Sequence, residues 1–476
     1  MIQIIAVAAK YLILIMCLVY TFSCFTMFRP KNKKRQEALL DNQVIYMFIF
    51  LFLCNLVLFL KTLELKVLIF FAAQIVFFEI VMILYPKIYK RSSRLLINNM
   101  CFLLGTGFVI LTRLSFELAM KQFAIVAIGV LVTGLIPLMM HKLSFWSKLG
   151  WVYAIGGFAL LSSVFVFGVM KNGAYNWVQF GSLAFQPSEF VKIIFVFFAA
   201  AMLSKAKEFR DLVKITVIAG LYVLVLVVEK DLGGALLYFM IYLMMLYVAT
   251  AKPSYLLGGL GAGAFAAVIA YHLFSHVQVR VAVWQDPFSM IEGRGAQVCQ
   301  SLFAIGTGGW FGMGLTQGRP FDIPVRESDF IFSVISEEFG VIFGICLIFV
   351  LISCFILFMD ISTRSRTLFN KLLCLGFGVC FIFQVFLSIG GVTKFIPSTG
   401  VTIPLVSYGG TSVLSTLIIL SVIQGLHMLA NSEEEENELI QTQKESGNGD
   451  TKEISLSKNR TKRGKKEISL SKNRTK

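Results

Sequence analysis

Charge is scarce in this sequence. Asp, Glu, Lys and Arg make up 15% of its 476 residues, where a soluble domain carries about a quarter. That excludes an ordinary soluble class, and the 57% hydrophobic content and mean hydropathy of +0.78 point the same way. Metal and disulfide spacings are missing as well. The nine cysteines (17, 24, 54, 101, 299, 346, 354, 374 and 380) are scattered, almost all in apolar runs, and read as buried thiols. No dinucleotide-binding or P-loop spacing occurs. The first apolar run, Ile2 to Phe28, has neither a basic n-region nor a small-residue cleavage site, so it reads as a retained helix rather than a signal peptide. There is no internal repeat of the kind many carriers show.

What is present is a series of apolar runs long enough to cross a bilayer. They fall at about 2–28, 43–60, 65–85, 96–115, 121–140, 149–169, 188–204, 211–228, 232–250, 254–272, 330–359, 370–390 and 402–430. The fold class is therefore an all-α polytopic membrane protein. With the N-terminus outside and the C-terminus cytoplasmic, the inner segments and the tail hold 30 of the 43 lysines and arginines, as the positive-inside rule requires. The net charge of +16 then reads as topology determinants and a lipid-facing surface, not as a nucleic-acid site. The region 1–95 carries three spans and basic cytoplasmic loops, 96–430 the remaining spans, and 431–476 a polar tail. The tail holds an acidic run, Glu433 to Glu436, and Lys-Glu-Ile-Ser-Leu-Ser-Lys-Asn-Arg-Thr-Lys twice, at 452–462 and 466–476. Its composition predicts disorder.

Two segments on the outer side break the helical pattern: 171–187 and 271–328. The second is too long for a simple connection. Its aromatics predict docking on the bundle or the membrane interface. Its glycines, from Gly306 to Gly318, suit either sharp turns or ligand contact. At its end come Asp329 and, eight and nine residues on, Glu337 and Glu338. Asp329 is placed at the mouth of a helix running to 359, where an ionisable residue is costly unless it works or is paired. The neighbouring helix start is expected to favour its carboxylate form.

Other polar residues interrupt apolar runs. Pro187 and Ser188 mark a helix start. Glu189 and Lys192, three apart, share a helix face; they form either a neutralising ion pair or a grip on an anionic head group. Trp177 is an interfacial anchor or a sugar-stacking platform. Asp231 reads as a helix cap. Arg280 is a phosphate ligand or a snorkelling side chain, and Asp286, before Pro287, a turn residue. Past Lys394, the stretch Pro397–Ser412 mixes Pro, Ser and paired Gly into an apolar run, the mark of a broken helix that lines a cavity or is buried in protein. Ser407 and Tyr408 either reach into that cavity or pack.

These segments resemble the SEDS family (shape, elongation, division and sporulation), whose members include RodA, FtsW and SpoVE. The matching residues come in the family's order: Arg113 with Lys121-Gln122; Trp177; Gln186-Pro187-Ser188-Glu189 with Lys192; Asp231-Leu232-Gly233; Arg280 with Asp286-Pro287; Gln300-Ser301 and Gly308-Gly309; Pro324 with Asp329-Phe330-Ile331-Phe332 and Glu337-Glu338-Phe339-Gly340; Pro397, Thr399-Gly400, Pro404 and Ser407-Tyr408-Gly409-Gly410. The resemblance spans roughly residues 95–430. It implies a ten-helix core with about three additional N-terminal transmembrane helices. It implies a plasma-membrane peptidoglycan glycosyltransferase that polymerises lipid II, in complex with a class B penicillin-binding protein. Asp329 takes the place of the catalytic aspartate. The family's His-Thr before it is here Glu327-Ser328, and a Gln-Pro before Asp231 is Glu229-Lys230.

In such a reaction a carboxylate takes the proton of the acceptor sugar's 4-hydroxyl. One inverting displacement at the α-linked donor gives a β-linkage with no covalent intermediate. The departing polyprenyl pyrophosphate needs positive charge, for which Arg280, Lys192 and Lys394 are candidates. A divalent cation can share that role, although no ligand set declares itself. The lipid-facing cleft is then built from Asp329, Glu189, Lys192, Trp177, Arg280, Asp286, Lys394 and Ser407. A lipid II flippase or other transporter, and a non-catalytic scaffold for the transpeptidase, are the competing classes.

Overall fold

Helix boundaries follow local chemistry. Ser93 and Ser115 accept hydrogen bonds from the amides of Leu96 and Leu118, which satisfies donors a helix start leaves orphaned. Pro187 and Pro253 open their helices, where a missing N–H costs nothing. The structure, a computed structural model, describes residues 2–29, 32–142, 144–171, 174–181 and 183–439. The expected disorder from residue 431 is corrected at its start, since residues 431–439 continue the last helix; the rest of the tail, with its duplicated sequence, lies outside the described residues. In chain order the helices are α1 (Ile2–Thr26), α2 (Lys33–Thr62), α3 (Leu65–Ile88), α4 (Arg94–Leu114), α5 (Phe116–Thr133), α6 (Ile136–Lys142), α7 (Gly150–Ser162), α8 (Val164–Phe167), α9 (Pro187–Leu203), α10 (Phe209–Val228), α11 (Leu232–Thr250), α12 (Pro253–Leu273), α13 (Ser275–Gln285), α14 (Ala296–Gly308), α15 (Ile331–Phe339), α16 (Val341–Arg364), α17 (Leu368–Val392) and α18 (Gly410–Leu439).

Among the described residues twelve helices are long and apolar enough to cross a membrane, α5 with α6 and α7 with α8 each counting as one. Helix α9, with 17 residues, rises roughly 26 Å, close to the ~30 Å of a bilayer's apolar core. With it the count agrees with the sequence pattern. Residues Met1–Met428 pack as one unit, and the chain from Leu429 forms a second, whose described part is the end of α18.

Three features depart from the sequence reading. The segment after α8 is not a plain loop: Gly168–Lys171 (β1), Ala174–Phe180 (β2) and Leu183–Phe185 (β3) form an antiparallel sheet in the order β1-β2-β3. The run 330–359 is two helices, α15 and α16, because Gly340 adopts φ 90 between them. The long segment 271–328 contains α13 and α14. Gly308 and Gly312 in it serve close packing. The backbone of residues 309–314 runs against the end of α15, with Met313 N donating to Glu337 O (2.8 Å), Gly314 N to Glu338 O (2.8 Å) and Val341 N to Gly309 O (2.9 Å). A Cβ at Gly308 would overlap Ser336 O, and one at Gly312 would overlap Glu338 O.

Helices α4 and α17 lie at the centre of the bundle, buried along most of their lengths, while α12 has no buried residue. Helices α1 and α2 dock on the centre through polar groups inside the apolar layer. Tyr20 Oη donates to Asn99 Oδ1 (3.0 Å), Asn99 Nδ2 to Ser353 Oγ (2.8 Å), and Asn98 Nδ2 to Gln43 Oε1 (3.1 Å). Lipid offers no hydrophobic drive between helices, so small side chains and hydrogen bonds of this kind, worth about 0.6 kcal/mol each on average, carry the association.

Candidate active site

Asp329 lies two residues before α15, at the end of the bundle that carries α13 and α14. The two residues ahead of it are held from the irregular stretch between α17 and α18. Ser407 Oγ donates to Ser328 O (2.7 Å) and accepts from Ile403 N (2.9 Å); Tyr408 N donates to Glu327 O (2.8 Å). Gly400 adopts φ 74, and a Cβ there would stand 3.6 Å from Asp329 Oδ2. The carboxylate therefore rests beside bare backbone, at a conformation that glycine accepts without strain. Gln384 of α17 holds the same stretch from below, its Nε2 donating to Thr402 O (3.1 Å) and its Oε1 accepting from Lys192 Nζ (3.1 Å).

Arg280 of α13 joins this cleft. Its Nη1 donates to Ser398 O (3.0 Å), and its charge acts on both Asp231 and Asp329. Burial pushes the Asp329 carboxyl above the usual carboxylate range; a hydrogen bond from the Ser328 side chain and the charge of Arg280 pull it back, and Glu327 adds to the rise. The neighbouring helix start favours the charged form; burial acts against it and is the largest cause of the rise.

The other sequence candidates lie in separate places. Arg280, Ser407 and Asp329 meet in the cleft. Lys394 is adjacent: its carbonyl accepts from Trp284 Nε1 (3.1 Å) and its backbone adopts φ 59. Trp177 sits on β2 opposite Val169. Its neighbour Asn176 Nδ2 donates to Asp231 Oδ2 (3.2 Å), as does Gln186 Nε2 (3.2 Å), so Asp231 ties the sheet to the start of α9. Asp231 Oδ1 also caps α11 through Gly234 N (2.8 Å). Lys192 is only 2% exposed. Its ammonium lies 2.5 Å from Glu189 Oε2, which also accepts from Ser415 Oγ (2.8 Å). That is the neutralising ion pair, and an ammonium so enclosed has no free face for a head group. Asp286 is exposed and closes a turn, accepting from Ser289 N (3.3 Å).

Glu337 and Glu338 are anchors. Glu338 Oε1 meets Arg113 Nε at 3.0 Å, and Glu337 Oε1 accepts from Arg319 N (2.9 Å). Phe321 lies between two guanidinium groups, Arg113 at 5.4 Å and Arg326 at 4.9 Å from the ring centre, in the geometry of cation–π attraction. Arg113 and Glu338 are 225 residues apart, so no local spacing announces the pair. Among the described residues no three of His, Cys, Asp and Glu gather to hold a metal ion.

Glu229, between α10 and α11, is fully buried and neither carboxyl oxygen has a hydrogen-bond partner. Burial, aided by the charge of Asp231, pushes it up to about 8. An unfolded glutamate titrates near 4.3, so the folded state holds the proton longer. The stability this group contributes is complete below about pH 4 and is lost as pH rises through 8. Glu229→Gln should therefore flatten the decline of the melting temperature between pH 5 and 8. An unchanged decline would show that another group sets it.

Fold and cleft together define a polytopic membrane protein in which the partly buried carboxylate of Asp329 lies within reach of the charge of Arg280. Residues 101–432 match the model of the cell cycle protein family of FtsW, RodA and SpoVE, and the chain belongs to that family. It is 32% identical to the peptidoglycan glycosyltransferase RodA of Mycobacterium tuberculosis over 362 residues, covering 70% of this chain and 77% of the relative. It is 32% identical to the stage V sporulation protein E of Bacillus subtilis, over 65% of this chain and 86% of that one. Among solved structures it is similar to a chain of a peptidoglycan synthase complex that coordinates polymerization and crosslinking (26% identity, TM-score 0.61, 71% of this chain and 97% of the other). It is also similar to the rod shape determining protein RodA of Thermus thermophilus (25% identity, TM-score 0.54, 71% and 96%). Helices α1–α3 precede the matched residues.

Proposed function

We propose that this protein polymerises lipid II, the undecaprenyl-pyrophosphate-linked disaccharide-pentapeptide, into glycan strands by inverting transfer, with Asp329 as the general base. The observation that carries this is the placement of one carboxylate, held through its own turn by Ser407 and Tyr408, within the field of Arg280. Asp329 takes the proton of the acceptor's 4-hydroxyl as that oxygen attacks the donor's anomeric carbon. Burial raises its affinity for that proton. The polyprenyl pyrophosphate leaves with negative charge; Arg280 keeps N–H groups beyond the one given to Ser398, and Lys394 is the second candidate. Purified protein given labelled lipid II, with no second glycosyltransferase present, should yield polymer. Exchange between leaflets without polymer would favour a flippase, and neither activity a scaffold.

The cleft then faces outward in the plasma membrane, with the N-terminus outside, 29–42 and 86–97 cytoplasmic, and the core at 96–430. A class B penicillin-binding protein is the expected partner that cross-links the strands, in keeping with the synthase complex to which the chain is similar. All nine cysteines are buried, so single cysteines introduced at the exposed positions Glu292 and Lys33 should report cleanly. A membrane-impermeant thiol reagent should label position 292 and spare 33 in intact cells; the reverse pattern would overturn the orientation.

A further inference from the structure

We infer that Gln122 is a positioning residue for the reaction: its buried amide on α5 clamps residues 407–409, and through them fixes the turn that carries Asp329. Gln122 is 1% exposed. Its Nε2 donates to Ser407 O (3.0 Å) and its Oε1 accepts from Gly409 N (3.3 Å). One amide thus serves a carbonyl and an N–H two residues apart, as a paired strand would. The clamped residues are the ones that reach Asp329's own turn, Ser407 through Oγ to Ser328 O (2.7 Å) and Tyr408 through N to Glu327 O (2.8 Å). Glu327 and Ser328 directly precede Asp329, so two hydrogen-bonded links separate the amide from the carboxylate's backbone. From α4 the same stretch is backed by Gly107, whose Cα lies so close to Val406 O that a Cβ would stand 2.6 Å from it.

The segment has no regular structure of its own to satisfy these groups. Irregular backbone inside a membrane bundle persists only where the surrounding protein supplies partners. Without Gln122, Ser407 O and Gly409 N must take water or move. A shift of about 1 Å in a catalytic group costs on the order of 10²-fold in rate. Water entering beside Asp329 also changes its titration, since burial is the main cause of its raised proton affinity. The charged groups acting on that carboxyl are Arg280 from α13 and Glu327 from its own turn. Lys121, next to Gln122, is engaged with Glu117 (2.6 Å) on the exposed side of α5.

This inference rests on the proposed general base, so the experiment compares both sites in the full chain with its transpeptidase partner, using labelled lipid II. Gln122→Ala should lower kcat on the order of 10²-fold with KM within about twofold, because the amide touches no substrate. The acidic limb of its kcat–pH profile should move to lower pH, toward that of a hydrated carboxylate. A mere loss of folded protein would lower the amplitude and leave the limb in place; that result, or an unchanged kcat, overturns the inference. Should Gln122→Ala fail to fold, Gln122→Met serves. It keeps the length of the side chain, gives Ser407 O no donor and Gly409 N no strong acceptor, and should show the same lowered kcat and moved limb, with an unmoved limb again counting against the clamp. Asp329→Asn in the same assay separates the two ideas. If it polymerises normally, the general base is wrong; if it is inactive while Gln122→Ala is normal, only the clamp is wrong.

Discussion

Asp329→Asn should fold, bind its transpeptidase partner and fail to polymerise, with a loss of about 10²–10⁴-fold, the usual worth of general base catalysis. Asparagine keeps the size and shape of the side chain, and the contacts that hold the turn use the backbone of Glu327 and Ser328, which the change leaves in place. What it removes is the capacity to take a proton in a partly desolvated cleft. Because burial raises the proton affinity of Asp329, the parent enzyme's rate should fall on acidification at a higher pH than a free carboxylate would dictate. Asp286→Asn is the control: an exposed turn carboxylate whose loss should cost little. Near-normal polymer from Asp329→Asn at equal protein level would end the assignment. Glu337 and Glu338 would be poorer heirs to it, since each is buried and already holds a partner through one oxygen, the Arg319 amide and Arg113.

Breaking the Glu189–Lys192 pair should be the most destabilising surgery in the core. Lys192→Ala leaves the Glu189 carboxylate with the Ser415 hydroxyl alone; Glu189→Ala leaves a 2%-exposed ammonium with only the Gln384 oxygen. Stranding one charge of a buried pair costs about 3–5 kcal/mol, whereas removing both charges is far milder. The double variant should accordingly retain more stability than the sum of the single losses predicts. Thermal unfolding in detergent reads this directly, and additive losses would show that the two residues do not couple. Lys192→Ala should also lower polymerisation modestly, because Gln384 links the pair to Thr402 in the stretch that cradles Asp329.

Some of this protein was legible in its residues taken in order. Uninterrupted apolar length is a local property, so the spans could be read directly, and the chain from Pro187 to Leu203 begins where Pro and Ser predict. Asp231 caps its helix as its position before Leu-Gly-Gly suggests, and Glu189 with Lys192 pair because three residues on a helix share a face. The sheet at 168–185 was not legible, since it is built from short strands whose pairing depends on one another. The break at Gly340 escaped for a related reason. An apolar run reads as one helix until the glycine strap of 309–314 is laid against it, and only that contact shows why φ must turn positive there.

Candidate site residues divide along the same line. The types that do chemistry stand out singly: an aspartate at a helix mouth, an arginine in a long segment, a serine in a broken helix. Which of them meet was decided by tertiary structure alone. Arg280 and Ser407 come to Asp329 while Lys192 is enclosed, and Arg113 finds Glu338 across 225 positions. Gln122, an ordinary amide in an apolar helix, gains its part only when residues 407–409 fold past it. The sequence by itself determined the membrane class, the approximate positions of the apolar helices and the residue types available for acid, base and anion binding, because those follow from side-chain chemistry and local periodicity. The tertiary structure decided which carboxylates are paired and with what, because burial and partners depend on segments hundreds of residues apart.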